Sequence, residues 1–264
     1  MAGRRVLNGG KKRIFPVHYD PGKKLFHTVV VLSDTPGSFS SILELLSTKV
    51  NLIGTGTYTR SDGTALFSGF SEALSPKVSR EDLKKLIMSS KAAISAEVYE
   101  GKDGLLVDTF HTGLLVGKDE YILMRREGLV HVFDRVTKLL GSGGDSLLFE
   151  EGATMGAKNA EIMIKNIGID RVKNQTEALN RFLAAQGWGE VVGKKGPGKD
   201  SVVVVIKDCF ECSADRGTRK ACNFMRGYLA GSAQATYGME FDSKETRCML
   251  KGAEACEFVF APKK

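Results

Sequence analysis

The sequence predicts an α+β protein of two domains: a β-α-β-β-α-β unit, then a mixed α/β domain that holds every cysteine. Three observations predict it. Apolar, β-branched runs alternate with helix-period segments between Leu25 and Glu100. All five cysteines fall between Cys209 and Cys256, with none in the first 208 residues. A chain of 264 residues holds one or two domains at about 150 residues each. Hydrophobic residues at 42% and charged residues at 26% suit a buried core and exclude a fully disordered chain. No run approaches ~18 apolar residues, so no membrane span is expected. Residues 1–6 lack the apolar core of a secretory signal, so a cytoplasmic location is expected.

Residues 1–22 are rich in Gly, Lys and Arg without period and read as a flexible basic arm. The net charge of +7 is concentrated there, in Arg4, Arg5, Lys11, Lys12 and Arg13, with Lys23 and Lys24 following. A second basic group, Lys194, Lys195 and Lys199, sits in a Gly/Pro-rich loop. Two readings stay open: contact with nucleic-acid phosphates, or a solvated tail.

Residues 26–32 are apolar and β-branched, hence a strand. Asp34-Thr35-Pro36-Gly37 is a turn, and Ser38 is placed to cap a helix over 39–48. Residues 51–53 open a second strand, and 65–70 form a third after the Ser61-Asp62-Gly63 turn. Residues 79–82 cap a helix that runs to Met88, and 93–99 are a fourth strand. This is the ferredoxin-like, split βαβ order. The strand, the Asp34-x-Pro36-Gly37 turn, the capped helix and Val50-Asn51-Leu52-Ile53 together resemble an ACT domain across about residues 25–100. The resemblance implies a regulatory module, assigned to residues 23–104, that binds an amino acid at a domain or subunit interface. The Pro36-Gly37 turn exposes N–H groups that can hold a carboxylate, or it simply ends the strand. A homodimer is expected.

The second domain is assigned to residues 105–264. Residues 101–117 read as a connector and 121–124 as the approach to a helix over 129–140. Its apolar stripe is Leu129, Val132, Phe133, Val136, Leu139 and Leu140. The glycines of 141–144 end it. Further helices are expected over 153–167, 175–186 and 219–237. Strands near 188–192 and 201–206 form one hairpin, and 239–250 with 256–260 form another.

Cys222, Glu245, Cys248 and Cys256 are the candidate metal ligands. Three thiolates and a carboxylate suit tetrahedral Zn²⁺. The second hairpin brings Cys248 to Cys256, and Cys222 lies near a helix start that favours thiolate. Residues three apart on a regular strand face opposite sides, so Glu245 and Cys248 can share an ion only across a bulge or strand end. Cys209 and Cys212 form a Cys-x-x-Cys pair, open to reading as alternative ligands or as a redox dithiol.

Cys222-x-Phe224-x-x-Gly227-Tyr228-x-x-Gly231, Glu245-x-x-Cys248 and Gly252-x-x-x-Cys256-x-Phe258 together resemble the 4-vinyl reductase family domain, over about residues 109–262. Related sensor domains of aromatic-responsive regulators hold a structural zinc with three Cys and one Glu. The resemblance therefore implies zinc at Cys222, Glu245, Cys248 and Cys256, and an enclosed hydrophobic or aromatic small molecule. Candidate contacts for it are Phe224, Met225, Tyr228 and Trp188, with Leu229, Met155, Met163 and Phe182 behind them. Gly227 and Gly231 leave one helix face bare for a ligand or a neighbouring helix. Phenol-sensing relatives hold the ligand hydroxyl with a His and a Trp. His131 lies early in the domain and no Trp stands in the segment before Phe210-Glu211, so no equivalent pair is expected.

The leading functional reading is a non-enzymatic, ligand-binding sensor. The alternatives are a reductase acting on a vinyl tetrapyrrole, and a scaffold subunit similar to those of vesicle-tethering complexes. The chain has no dinucleotide-binding Gly-x-Gly-x-x-Gly. Its four histidines, His18, His27, His111 and His131, are scattered and read as structural or exposed.

Overall fold

A computed structural model describes residues 12–14, 16–167, 175–198, 201–212, 219 and 221–263. The basic positions Arg4, Arg5, Lys11 and Lys199 lie outside the described residues. The chain divides into two compact units, one ending at Gly113 and one beginning at Leu114.

The first unit contains β1 (Val17–Tyr19), β2 (Leu25–Ser33), α1 (Ser38–Ser47), β3 (Val50–Thr59), β4 (Thr64–Ala73), α2 (Arg80–Met88), β5 (Ala93–Glu100) and β6 (Leu105–Val107). Four strands form one antiparallel sheet in the order β3-β4-β2-β5. Alternation along β2 sorts its side chains to two faces. Phe26, Val30 and Leu32 meet Ile42 and Leu46 of α1 and Leu83 and Ile87 of α2 in one apolar core. Leu25 packs with Phe70 and Leu106 in a second, smaller cluster.

Local chemistry explains most boundaries. α2 opens with a capping box: Asp82 N–H donates to Ser79 Oγ at 3.1 Å, and Ser79 N–H donates to Asp82 Oδ2 at 3.2 Å. Ser38 does not cap α1, contrary to the expectation. Gly37 holds the N-cap position at φ 89°, a left-handed turn that suits glycine. Ser38 is the first helical residue, and its hydroxyl lies 2.8 Å from Thr35 Oγ1 instead.

The expected arm over 1–22 is partly a strand. Val17–Tyr19 pairs antiparallel with Leu105–Val107. Leu106 is buried against Leu25 and Phe70. That pairing draws residues 105–113 into the first unit, so the division falls nine residues past the expected 104/105 boundary.

The second unit contains β7 (Leu114–Val116), β8 (Asp119–Tyr121), α3 (Arg126–Leu140), α4 (Ser142–Ile167), α5 (Gln175–Ala185), β9 (Glu190–Lys195), β10 (Val202–Lys207), α6 (Asn223–Tyr237), β11 (Phe241–Arg247) and β12 (Cys256–Pro262). Its main sheet is antiparallel in the order β11-β12-β10-β9. The glycines after Leu140 do not end the helical region. They form a corner at Gly141, and α4 begins at once and continues through the expected break before Ala153.

α4 continues because its glycines serve the crossing with α6. A Cβ on Gly152 would lie 2.1 Å from the Phe224 carbonyl oxygen, and one on Gly231 would lie 1.9 Å from that of Ala153. Gly156 and Gly227 face the same crossing. The bare face expected on Gly227 and Gly231 is therefore filled by a neighbouring helix.

Candidate metal centre

The second unit gathers its cysteines from three places. β10 ends at Lys207, and the chain turns through Asp208, at φ 50°, into Cys209 and Cys212. Cys212 N–H donates to Cys209 O at 3.0 Å and closes that turn. Cys222 is the N-cap of α6. Cys248 follows β11, a 3-10 turn over Met249–Lys251 follows it, and Cys256 begins β12. The β11–β12 register shifts between Glu245 and Arg247. That bulge is the irregularity needed for Glu245 and Cys248 to reach one point.

All five sulfurs are buried and none is in a disulfide. Cys212 Sγ lies 3.7 Å from Cys248 Sγ and 3.4 Å from Cys256 Sγ. Cys222 Sγ lies 3.8 Å from Cys248 Sγ and 3.6 Å from Cys256 Sγ. A zinc ion about 2.3 Å from four thiolates gives a tetrahedron with edges of about 3.8 Å. The donor set and its spacing therefore fit a tetrahedral thiophilic ion. Cys209 also lies within 4.8 Å of Cys212, Cys222 and Cys256.

Glu245 offers a second arrangement. Its carboxylate lies within 4.8 Å of the ligand atoms of Cys222, Cys248 and Cys256. It accepts the Cys222 N–H at 3.3 Å on Oε1 and 3.4 Å on Oε2. Burial pushes the Glu245 carboxyl up, while hydrogen bonds from Cys248 and Cys222 hold it down. Hydrogen bonding within the sulfur cluster, from Cys209 first, pushes the Cys212 and Cys222 thiols up and the Cys256 thiol down. The structure thus brings together all six residues singled out from the sequence, and Cys222, Cys248 and Cys256 stand close to both Cys212 and Glu245.

Sequence reasoning missed Glu211. It is fully buried between the two cysteines of the Cys-x-x-Cys turn. Its Oε2 accepts Met225 N–H at 2.7 Å and its Oε1 accepts Phe224 N–H at 3.4 Å. These are orphan donors of the first turn of α6, which has no side-chain cap from Cys222. Buried Arg219 donates to Glu211 O at 2.9 Å and pairs with its Oε1 at 3.4 Å. Burial pushes the Glu211 carboxyl up to about 7, against the N–H groups and Arg219, which hold it down. A glutamate between two cysteines carries no sequence signal of this role.

The second unit also holds an apolar cavity of about 80 Å³. Tyr228, Leu229, Ser232 and Ala233 of α6 form one wall, and Met163, Leu183, Val204 and Phe260 form others. Tyr228 Oη accepts from Asn159 Nδ2 at 3.2 Å, and burial pushes its phenol up. Of the expected ligand contacts, Tyr228, Leu229 and Met163 line this cavity. Phe224, Met225 and Trp188 do not. Phe224 stacks on Phe133 at 4.7 Å between centroids, and Met225 is fully buried in the core. Trp188 packs 4.4 Å from the Tyr228 ring centroid, behind that wall.

Residues 202–262 match the V4R domain model. An uncharacterized protein of Methanocaldococcus jannaschii is 26% identical over 121 residues, 45% of this chain and 65% of that protein. The match thus spans just under two thirds of the relative's length. Among solved structures, the phenol-responsive sensory domain of the transcription activator PoxR with phenol is 16% identical, with a TM-score of 0.46, covering 57% of this chain and 80% of that one. A trafficking protein particle complex subunit 3 from Naegleria fowleri, covalently bound to palmitic acid, is 14% identical with a TM-score of 0.41, covering 53% and 95%. A vinyl-4-reductase family protein from Methanocaldococcus jannaschii is 20% identical with a TM-score of 0.36, covering 56% and 85%. Among the described residues, no helix is long and apolar enough to cross a membrane.

Proposed function

We propose that the chain is a non-enzymatic small-molecule sensor whose second unit is held by a structural zinc ion. The observation that carries this reading is the sulfur spacing, 3.4 to 3.8 Å along four edges. Cys212, Cys222, Cys248 and Cys256 would hold the ion, and Glu245 would brace Cys222 through its N–H. Four protein ligands leave no open position, which is the signature of a structural rather than a catalytic site. When bound, zinc supplies charge that offsets repulsion among buried thiolates.

The same elements reach the cavity. α6 carries Cys222 at its start and Tyr228, Leu229 and Ser232 further along. β12 carries Cys256 at its start and Phe260 further along. An ion that fixes the starts of both elements therefore shapes the cavity wall. A mostly apolar lining with Asn180, Ser232 and Tyr228 among it suits an apolar ligand bearing a polar group. Its volume of about 80 Å³ is too small for a tetrapyrrole, and a single ring would have to widen it, since a cavity that holds benzene is about 150 Å³. Ligand binding would bias the unit between two states by its differential affinity. The first unit, with its antiparallel β3-β4-β2-β5 sheet, would be the ferredoxin-like, ACT-like regulatory module of the same protein.

The test pairs metal counting with thermal shift. The full chain should hold zinc in the cysteine site, and toluene, phenol or hexanoate should raise its melting temperature. Ala233→Trp, which fills the cavity, should abolish the shift and keep the zinc. A chain without zinc, or a shift unchanged by Ala233→Trp, would overturn the reading.

A further inference from the structure

In the first unit, far in sequence from the cysteines, His27, Asp108 and His111 place one potential ligand atom each within 4.8 Å of one another. His27 sits in β2, paired with Phe70 of β4 and Tyr99 of β5, and its side chain is fully buried. Its Nε2 is 2.8 Å from Ser68 Oγ. Its Nδ1 is buried with no hydrogen-bond partner. That nitrogen faces Asp108 Oδ1 at 3.7 Å, beyond hydrogen-bond reach.

The carboxylate is fixed rather than free to swing away. Asp108 N–H donates to Pro16 O at 3.0 Å. Asp108 Oδ1 accepts Phe110 N–H and His111 N–H, each at 3.0 Å, and Oδ2 lies 2.7 Å from His111 Nδ1. A buried ring nitrogen left unpaired costs about 1–3 kcal/mol in general. A cation between Nδ1 and the carboxylate gives that nitrogen the partner it lacks.

We propose that His27, Asp108 and His111 form a second metal site, for a divalent first-row transition ion, in the first unit. Two imidazoles and one carboxylate are borderline donors that suit such an ion and leave coordination positions open. Ser68 is the positioning residue: its Oγ lies 2.8 Å from Nε2, and by accepting an Nε2–H it would fix the tautomer that presents the Nδ1 lone pair to the ion. His111 and Asp108 are half-buried, so the open positions face the accessible side of the site. Two of the four histidines read from the sequence as structural or exposed, His27 and His111, thus become ligands. The site shares no residue with the cysteine centre.

Zinc is the probe, counted per full-length chain after equilibration in zinc buffer and gel filtration. The wild type should hold one ion more than His111→Ala, and the same difference should persist in a Cys222→Ser background. That background separates this site from the cysteine centre. Asp108→Asn, which keeps an acceptor for the turn, should lose the same ion. Ser68→Ala should retain the ligands but weaken the second ion about 10–100-fold in a competition titration. Equal counts in the wild type and His111→Ala, in either background, would overturn the proposal.

Discussion

Buried charge makes Glu211 and Arg219 unequal partners to mutate. Glu211 takes two N–H groups of α6 and the Arg219 guanidinium, so no simple truncation is silent. Glu211→Ala strands Arg219 in the core and should cost about 3–5 kcal/mol in urea unfolding. Glu211→Gln keeps a carbonyl acceptor for Met225 N–H and should cost less. Equal losses from the two would show that the retained acceptor contributes nothing and that the lost charge beside Arg219 carries the whole effect. The sulfurs divide similarly. Cys248→Ser should release zinc, whereas Cys209→Ser, outside the four close distances, should keep it. The cysteines were legible because thiolate ligands are recognisable by type and by their confinement to one segment. The approach of Cys212 to the same cluster was not, because it depends on the Asp208 turn, while the expected set of Cys222, Glu245, Cys248 and Cys256 also stands within 4.8 Å of one another.

The crossing of α4 with α6 decides how closely the cavity wall approaches the rest of the second unit. Glycines act there through the space they leave. Gly152→Ala or Gly231→Ala would drive a methyl into a backbone carbonyl, and each should cost about 1–3 kcal/mol or more in thermal or urea unfolding. Gly128→Ala is the control. Gly128 lies in α3 with nothing within 4 Å of its would-be Cβ, so alanine should be neutral or add about 0.5–1 kcal/mol. If Gly231→Ala were as mild as Gly128→Ala, the close crossing would be wrong. Sequence patterning located α2, β2 and β10 well, since capping and β-branched runs are local signals. It began α4 eleven residues late, at Ala153, because glycine reads locally as a breaker, and tertiary packing overrides that preference. It missed β1 because Val17–Tyr19 finds its partner nearly ninety residues on, at Leu105–Val107, and three residues carry no periodicity of their own.

Each unit has its own core, so removal of the proposed zinc should act on one of them. Metal binding to a site absent from the unfolded chain is folding free energy. A chelator should therefore strip hydrogen-exchange protection from α6, β11 and β12 and leave β2 and β4 protected by their own core. Uniform loss across both sheets would contradict two separate cores. The direct measurement of the central claim is zinc X-ray absorption on the full-length His111→Ala chain, which leaves only the cysteine site filled. Four sulfurs at about 2.3 Å are predicted. A chain without zinc, or a shell in which oxygen replaces one sulfur, would contradict the four-thiolate centre.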